Sequence, residues 1–128
     1  MAKWAHADVL TNGPKYIKDN CTKIAVISSY AAAATYATVA AAILAEVTVT
    51  TADFTLGTSG SNITLTNAGG LQDASANASG GGATNHFAYL DVTNSKVLWV
   101  TEETSDQAIV ALNPVNFPSL VYTAQQPV

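Results

Sequence analysis

His86 and Asp91, His6 and Asp8, and the lone thiol of Cys21 are the groups in this 128-residue chain best suited to proton transfer or nucleophilic attack. Such chemistry needs a base within hydrogen-bond reach of the group it activates. His86 opens a run of strand-forming residues and Asp91 follows five positions later. Alternation along a strand places odd separations on opposite faces, so the two do not pair within it. His6 and Asp8 stand two apart, a spacing that diverges on a helix. His86 therefore reads as a structural histidine, no catalytic residue is assigned, and the chain is expected not to be an enzyme.

Ligand-holding patterns fare no better. One cysteine and two distant histidines do not assemble a zinc site. Asp73, Asn77 and Asn85 offer oxygens in a Gly-rich stretch, without the spacing of a dedicated calcium loop. Gly80, Gly81 and Gly82 are followed by neither Lys-Ser/Thr nor the start of a helix, so they read as a flexible tether, not a phosphate cradle. No metal and no cofactor are expected. The Asn-X-Ser/Thr triplets at Asn20, Asn62 and Asn77 come without a secretory leader and read as products of an Asn/Thr-rich composition. Glu102, Glu103 and Asp106 form a small acidic group, a solvated turn by default and a partner-facing patch in the sharper reading.

The balance of charge narrows the function classes. Charged residues make up 11% of the chain, well below the usual ~25%. Lys3, Lys15, Lys18 and Lys23 against Asp8 and Asp19 give the first thirty residues +2. Lys96 against seven acids gives the remainder −6. There is no arginine, and an acidic pI argues against direct nucleic-acid binding. A lone cysteine excludes an intramolecular disulfide. The Ala-rich stretch 31–45 is too short and too interrupted by Thr35, Tyr36 and Thr38 to span a bilayer. The expectation is a protein made and used in solution, in a cytoplasm, with no membrane and no nucleic acid among its partners.

The elements that position these residues read mostly as strands, within a single domain over 1–128. A helical arm over 1–20 is expected in two pieces, one with Trp4, Ala7 and Leu10 at helical spacing and one starting at Pro14. Thr22–Ser29 is β-branched and apolar, a buried strand. Residues 31–45 favour a short helix or an arm. Glu46–Thr51 alternates as a strand, and Phe54–Leu56 with Ile63–Thr66 flank a Gly-Ser turn as a hairpin. The loop 67–85 holds five of the eight glycines, with a thin strand expected over 74–79. Phe87–Val92 and Lys96–Thr101 form a second hairpin; Ala108–Leu112 and Val115–Thr123 follow, with Pro118 demanding an edge or a bulge. About eight short strands at this spacing give an all-β, jelly-roll-like sandwich over 22–123. Trp99 is expected in the core, whereas Trp4, beside a polar terminus, suits docking against a neighbour.

Three passages then resemble a known group. They are Met1–Ala5 with Asp8, Leu10 and the short helix after them; Leu44–Glu46 through Asp53–Thr55 and the Gly-Ser turn; and His86–Asp91 through Val97–Thr101, ending in Val115–Pro118. Together they are similar to the small capsid decoration, or cement, proteins of tailed bacteriophages with podovirus-like heads. The resemblance implies a jelly-roll-like sandwich on the capsid exterior of the virion. Its partner would be the assembled major capsid protein, whose neighbouring subunits it staples. It also implies self-association, a dimer being favoured over a trimer. The shell-contacting residues it suggests are Lys3, Trp4, Lys15 and Lys18 of the N-terminal segment, Asn62, and Gly80, Gly81 and Gly82. Relatives carry Arg after the Gly-Ser turn where this chain has Asn62, so a shell contact made by that Arg is absent or replaced here. A head–tail or neck connector and a host-glycan-binding sandwich remain as alternatives.

Overall fold

The computed structural model describes residues 4–5, 13–59 and 62–124. The strands are β1 (Trp4–Ala5), β2 (Lys23–Ile27), β3 (Ile43–Thr48), β4 (Phe54–Ser59), β5 (Asn62–Asn67), β6 (Leu71–Asp73), β7 (His86–Asp91), β8 (Lys96–Glu102), β9 (Val115–Phe117) and β10 (Val121–Ala124). Two short helices, α1 (Pro14–Asn20) and α2 (Tyr36–Ala41), complete the set. The fold is all-β and sandwich-like. An antiparallel sheet ordered β1-β8-β7-β2-β3 faces a three-stranded sheet, β10-β5-β4, and a ribbon, β6-β9.

The central strands are covered on both faces, which explains their continuous apolar runs. One face carries Ile24, Val26, Phe87 and Tyr89, packed with Ile17, Phe54, Leu65, Ile109 and Phe117. The other carries Ala25, Ile27, Ala88, Leu90 and Val100 beneath Val39 and the half-buried Tyr36 of α2. An aromatic stack joins the layers: Trp99 lies 4.6 Å from Tyr89 and meets Tyr122 of β10 edge-on at 5.2 Å. Trp99 is half-buried there and packs on the core, as its neighbours suggested.

The helix starts follow local chemistry. Gly13 takes φ 70° and hands over to Pro14 at the first helical position of α1. Thr35 caps α2 by accepting from the Thr38 N–H at 3.3 Å. The two hairpins stand where expected, β4 pairing with β5 and β7 with β8. Asp91 holds the second turn by accepting from the N–H and the Nδ2 of Asn94 at 3.1 and 2.8 Å.

Several expectations need correction. Trp4 and Ala5 are a strand paired with Val100 and Trp99, not part of a helix. The open edge of β8 offers hydrogen bonds that outweigh a weak local propensity. The rest of that helical piece, 6–12, lies outside the described residues. β4 runs on through Gly57, Thr58 and Ser59, pairing Ser59 with Asn62, so these residues belong to the strands of the hairpin and not to its turn. Residues 74–79 form a strap, not a strand. The Asp73 carboxylate accepts from the N–H groups of Ser75 and Glu46, which turns the chain. The N–H groups of Asn77 and Ala78 then both donate to the Leu44 carbonyl, at 2.7 and 3.2 Å. This strap shields the outer edge of β3. Residues 108–112 contribute a single bridge, Ile109 to Gly80. Pro118 stands between two edge strands, in keeping with the edge expected there, but it divides the expected last strand into β9 and β10, which join different sheets.

Candidate functional site

The residues proposed to touch a partner are not gathered in one place. Lys15 pairs with Asp19 one turn along α1, in an exposed setting that contributes little. Lys18 donates to the carbonyls of Thr51 and Phe54 at 2.8 and 2.9 Å, fastening α1 to the base of the β4–β5 hairpin. Asn62 sits at the opposite, turn end of that hairpin, across from Ser59. Trp4 is fixed by its backbone to β8, and Lys3 lies outside the described residues.

The three glycines are no slack tether. Gly80 exchanges two 3.0 Å backbone hydrogen bonds with Ile109. Gly81, at φ 77°, lies so close to the Asn85 carboxamide that a Cβ there would stand 1.7 Å from its Oδ1. Neither the backbone nor the space would accept a side chain.

What the fold does build is a cleft of about 520 Å³ at the His86 end of the five-stranded sheet. Its apolar lining comes from Val26, Phe87, Ile109 and Phe117, each a buried member of the core. The wall is the end of β8 and the loop 103–107 that follows it, and Pro118 and Leu120 close the other side. The dimensions are those of a binding pocket. A second hollow of about 200 Å³ shares Gln107, Ile109, Val115 and Asn116 with it, so the two run together as one groove.

Two glutamates on the wall behave differently. Glu103 is buried and serves the loop itself. Its Oε1 accepts from the Ser105 N–H and hydroxyl, its Oε2 from the Gln107 N–H at 3.2 Å, and its own N–H donates to the Asn85 carbonyl at 2.9 Å. Glu102 is half-buried at the end of β8, paired across from His86 and so turned to the face opposite Phe87, and among the described residues its carboxylate has neither a hydrogen bond nor an ion pair. Of the acidic group of the sequence, Glu103 is committed to its own loop, Glu102 is not, and Asp106 is exposed.

Beside the wall lies a buried polar corner. His86 hydrogen-bonds through Nδ1 to the Thr84 carbonyl at 2.9 Å, and its ring centroid is 5.9 Å from that of Tyr30. Its Nε2 and the Asn85 Oδ1 are buried without a partner among the described residues. His86 and Asp91 occupy opposite ends of β7, each with separate partners, as the strand spacing required. Cys21 is buried against the core, and desolvation pushes its thiol up to about 12, so it stays protonated and unreactive at neutral pH. Among the described residues no three of His, Cys, Asp and Glu stand together in a way that could hold a metal ion, and no helix is long and apolar enough to cross a membrane.

The groove was nearly invisible in sequence. Its lining residues read as core, and the weak signal was the Glu102–Glu103–Asp106 group following the Trp99 strand. No family model matches the chain, and neither curated proteins nor solved structures include a match.

Proposed function

We propose that this chain is a small virion structural protein of a tailed bacteriophage. It binds the assembled capsid shell from outside and cements neighbouring major capsid subunits. The jelly-roll-like connectivity and the two-fold self-association of such proteins belong to the same proposal. The observation that supports it is the resemblance of three passages, which contribute β1, β3, β4, β7, β8 and β9 of the sandwich. Low charge supports it as well, because large permanent interfaces are depleted of charged residues at their centres. The mechanism is mass action: a protein that binds the assembled shell and not its free subunits stabilises the shell by its binding energy, copy by copy.

The test is co-sedimentation of the purified protein with phage heads that lack it, counting bound copies by gel densitometry. Shell binding predicts saturation on the order of hundreds of copies per head, one for each repeated surface site. Saturation near about a dozen copies would move the protein to the ring-shaped neck. No binding would overturn the shell reading.

A further inference from the structure

We infer that the open edge of β10 pairs with β10 of a second copy of this chain, antiparallel about a two-fold axis, so that two three-stranded sheets join into one. The inference deepens the two-fold self-association proposed above, rests on it to that extent, and gives it a surface.

The hydrogen-bond pattern supplies the first reason. The Asn67 N–H donates to the Leu120 carbonyl at 3.3 Å, so the odd-numbered residues of β5 bond toward β10. In the same sense Leu65 meets Tyr122 and Ile63 meets Ala124. Alternation along an antiparallel strand then turns the N–H and C=O of Val121 and Thr123 the other way, where no strand stands among the described residues. Both residues are exposed.

The other edges are guarded. β3 lies under the 74–79 strap, whose Asn77 and Ala78 N–H groups occupy the Leu44 carbonyl. β4 has the Lys18 ammonium on its Phe54 carbonyl. β6 carries Asp73, β9 is three residues between Pro114 and Pro118, and β1 is two residues long. Charge, proline and shortness are defences of an edge against pairing. From Ser119 to Gln126 there is neither a charged residue nor a proline, and Val121 is 53% exposed.

Symmetry and charge pick the occupant. A two-fold axis at Tyr122 sets Val121 opposite Thr123 of the second copy, and Thr123 opposite its Val121, each pair exchanging N–H and C=O bonds. One self-complementary strand is enough for such an isologous contact. β4, β5 and β10 contain no charged residue, so two chains of net charge −4 bring no like charges together along the joined strands. The pairing is short and belongs with the small reversible interfaces below about 1,200 Å² in total, with a dissociation constant on the order of 10 µM.

The experiment is sedimentation velocity of the full chain from about 1 to about 500 µM, where monomer should pass to dimer. Thr123→Pro removes an outward N–H and spares the pairing with β5, since proline is tolerated where the N–H faces solvent. Val121→Lys places a charge on the edge. Each should weaken the dimer by about tenfold or more with an unchanged urea midpoint, which reports an intact fold. Amide exchange by NMR locates the contact. At about 500 µM the Val121 N–H should exchange about tenfold more slowly in wild type than in Thr123→Pro, whereas the Tyr122 N–H, bonded to β5, is protected in both. A chain that stays monomeric, a dimer that survives both substitutions, or an unchanged Val121 exchange rate would overturn the inference. Phage heads lacking the protein separate the two readings. If heads take up no protein while the chain dimerises through Val121 and Thr123, the shell function falls and the edge pairing stands. If heads saturate while the chain stays monomeric, and both variants bind heads as wild type does, the edge pairing falls and the shell function stands.

Discussion

Asn67 and Asn85 are both buried carboxamides, and the way each is satisfied separates a closed part of this molecule from an open one. Asn67 closes the sandwich. Its Oδ1 accepts from the Tyr89 hydroxyl at 2.7 Å and the Leu120 N–H at 2.8 Å; its Nδ2 donates to the carbonyls of Pro118 and Ala68 at 3.0 and 3.1 Å. One side chain thus joins β7, β5 and the chain break at Pro118. Asn85 uses its donor, to the Gln107 carbonyl at 2.9 Å, and its Oδ1 is without a partner among the described residues. It fastens the loop that walls the groove, and Gly81 is pressed against it. A fully satisfied polar network rigidifies a core, whereas a buried polar atom left unpaired costs free energy and holds its surroundings less firmly. The difference places adaptability beside the groove and not in the aromatic layer.

The largest effect should come from breaking the closed side. Asn67→Ala leaves the Tyr89 hydroxyl, the Leu120 N–H and the Pro118 carbonyl to seek other partners in a dry interior. Each orphaned group costs about 1–3 kcal/mol, and some relaxation is available, so a loss of about 4 kcal/mol is expected. Urea unfolding should show a lower midpoint with an unchanged slope. A loss under about 1 kcal/mol would mean that the network is not what joins the layers.

Gly81 probes the open side. Gly81→Ala should cost about 3 kcal/mol, combining a left-handed backbone with overlap against a buried carboxamide. Truncating the obstacle separates the two causes. In an Asn85→Ala background, the same Gly81→Ala change should cost only the backbone share, about 1 kcal/mol. A cost that is the same in both backgrounds would place the clash elsewhere.

These two sites also show what the sequence could and could not convey. The hairpins were legible because β-branched and aromatic runs flank compact turns, and β7 was legible because it is apolar on both faces. β1 was not, since two residues take their conformation from the edge of β8 and not from their own neighbours. The strap over 74–79 alternates like a strand but is bent by the carboxylate of Asp73, a long-range effect of the Glu46 backbone. Pro118 marked a break, yet nothing local says that its two sides join different sheets. The groove is harder still, because Val26, Phe87 and Phe117 have the same composition whether a cleft opens above them or not. Gly80–Gly82 read as slack because glycine is permissive, and only the packing against Asn85 shows why the side chain must be absent.

Alkaline pH sharpens the comparison with the smallest step. Cys21 and Tyr89 belong to the closed side, and burial raises both: the thiol from its ordinary 9.0 to about 12, and the phenol above its ordinary 10.0. Below about pH 9 both groups are protonated in the folded and unfolded chains, and their contribution is fully present. Between about pH 9 and 12 the unfolded thiol has lost its proton while the folded one keeps it. The unfolded state then binds fewer protons, so stability must fall as pH rises. The slope from Cys21 is about 1.4 kcal/mol per pH unit, with a second contribution from Tyr89 beginning about one unit higher. Urea midpoints measured between pH 8 and 10 should therefore decline, and Cys21→Ala should flatten the first part of that decline while sparing the part due to Tyr89. A decline of the same steepness in the variant would show that the thiol is reached by water, and that the aromatic layer is less closed than the satisfied carboxamide of Asn67 implies.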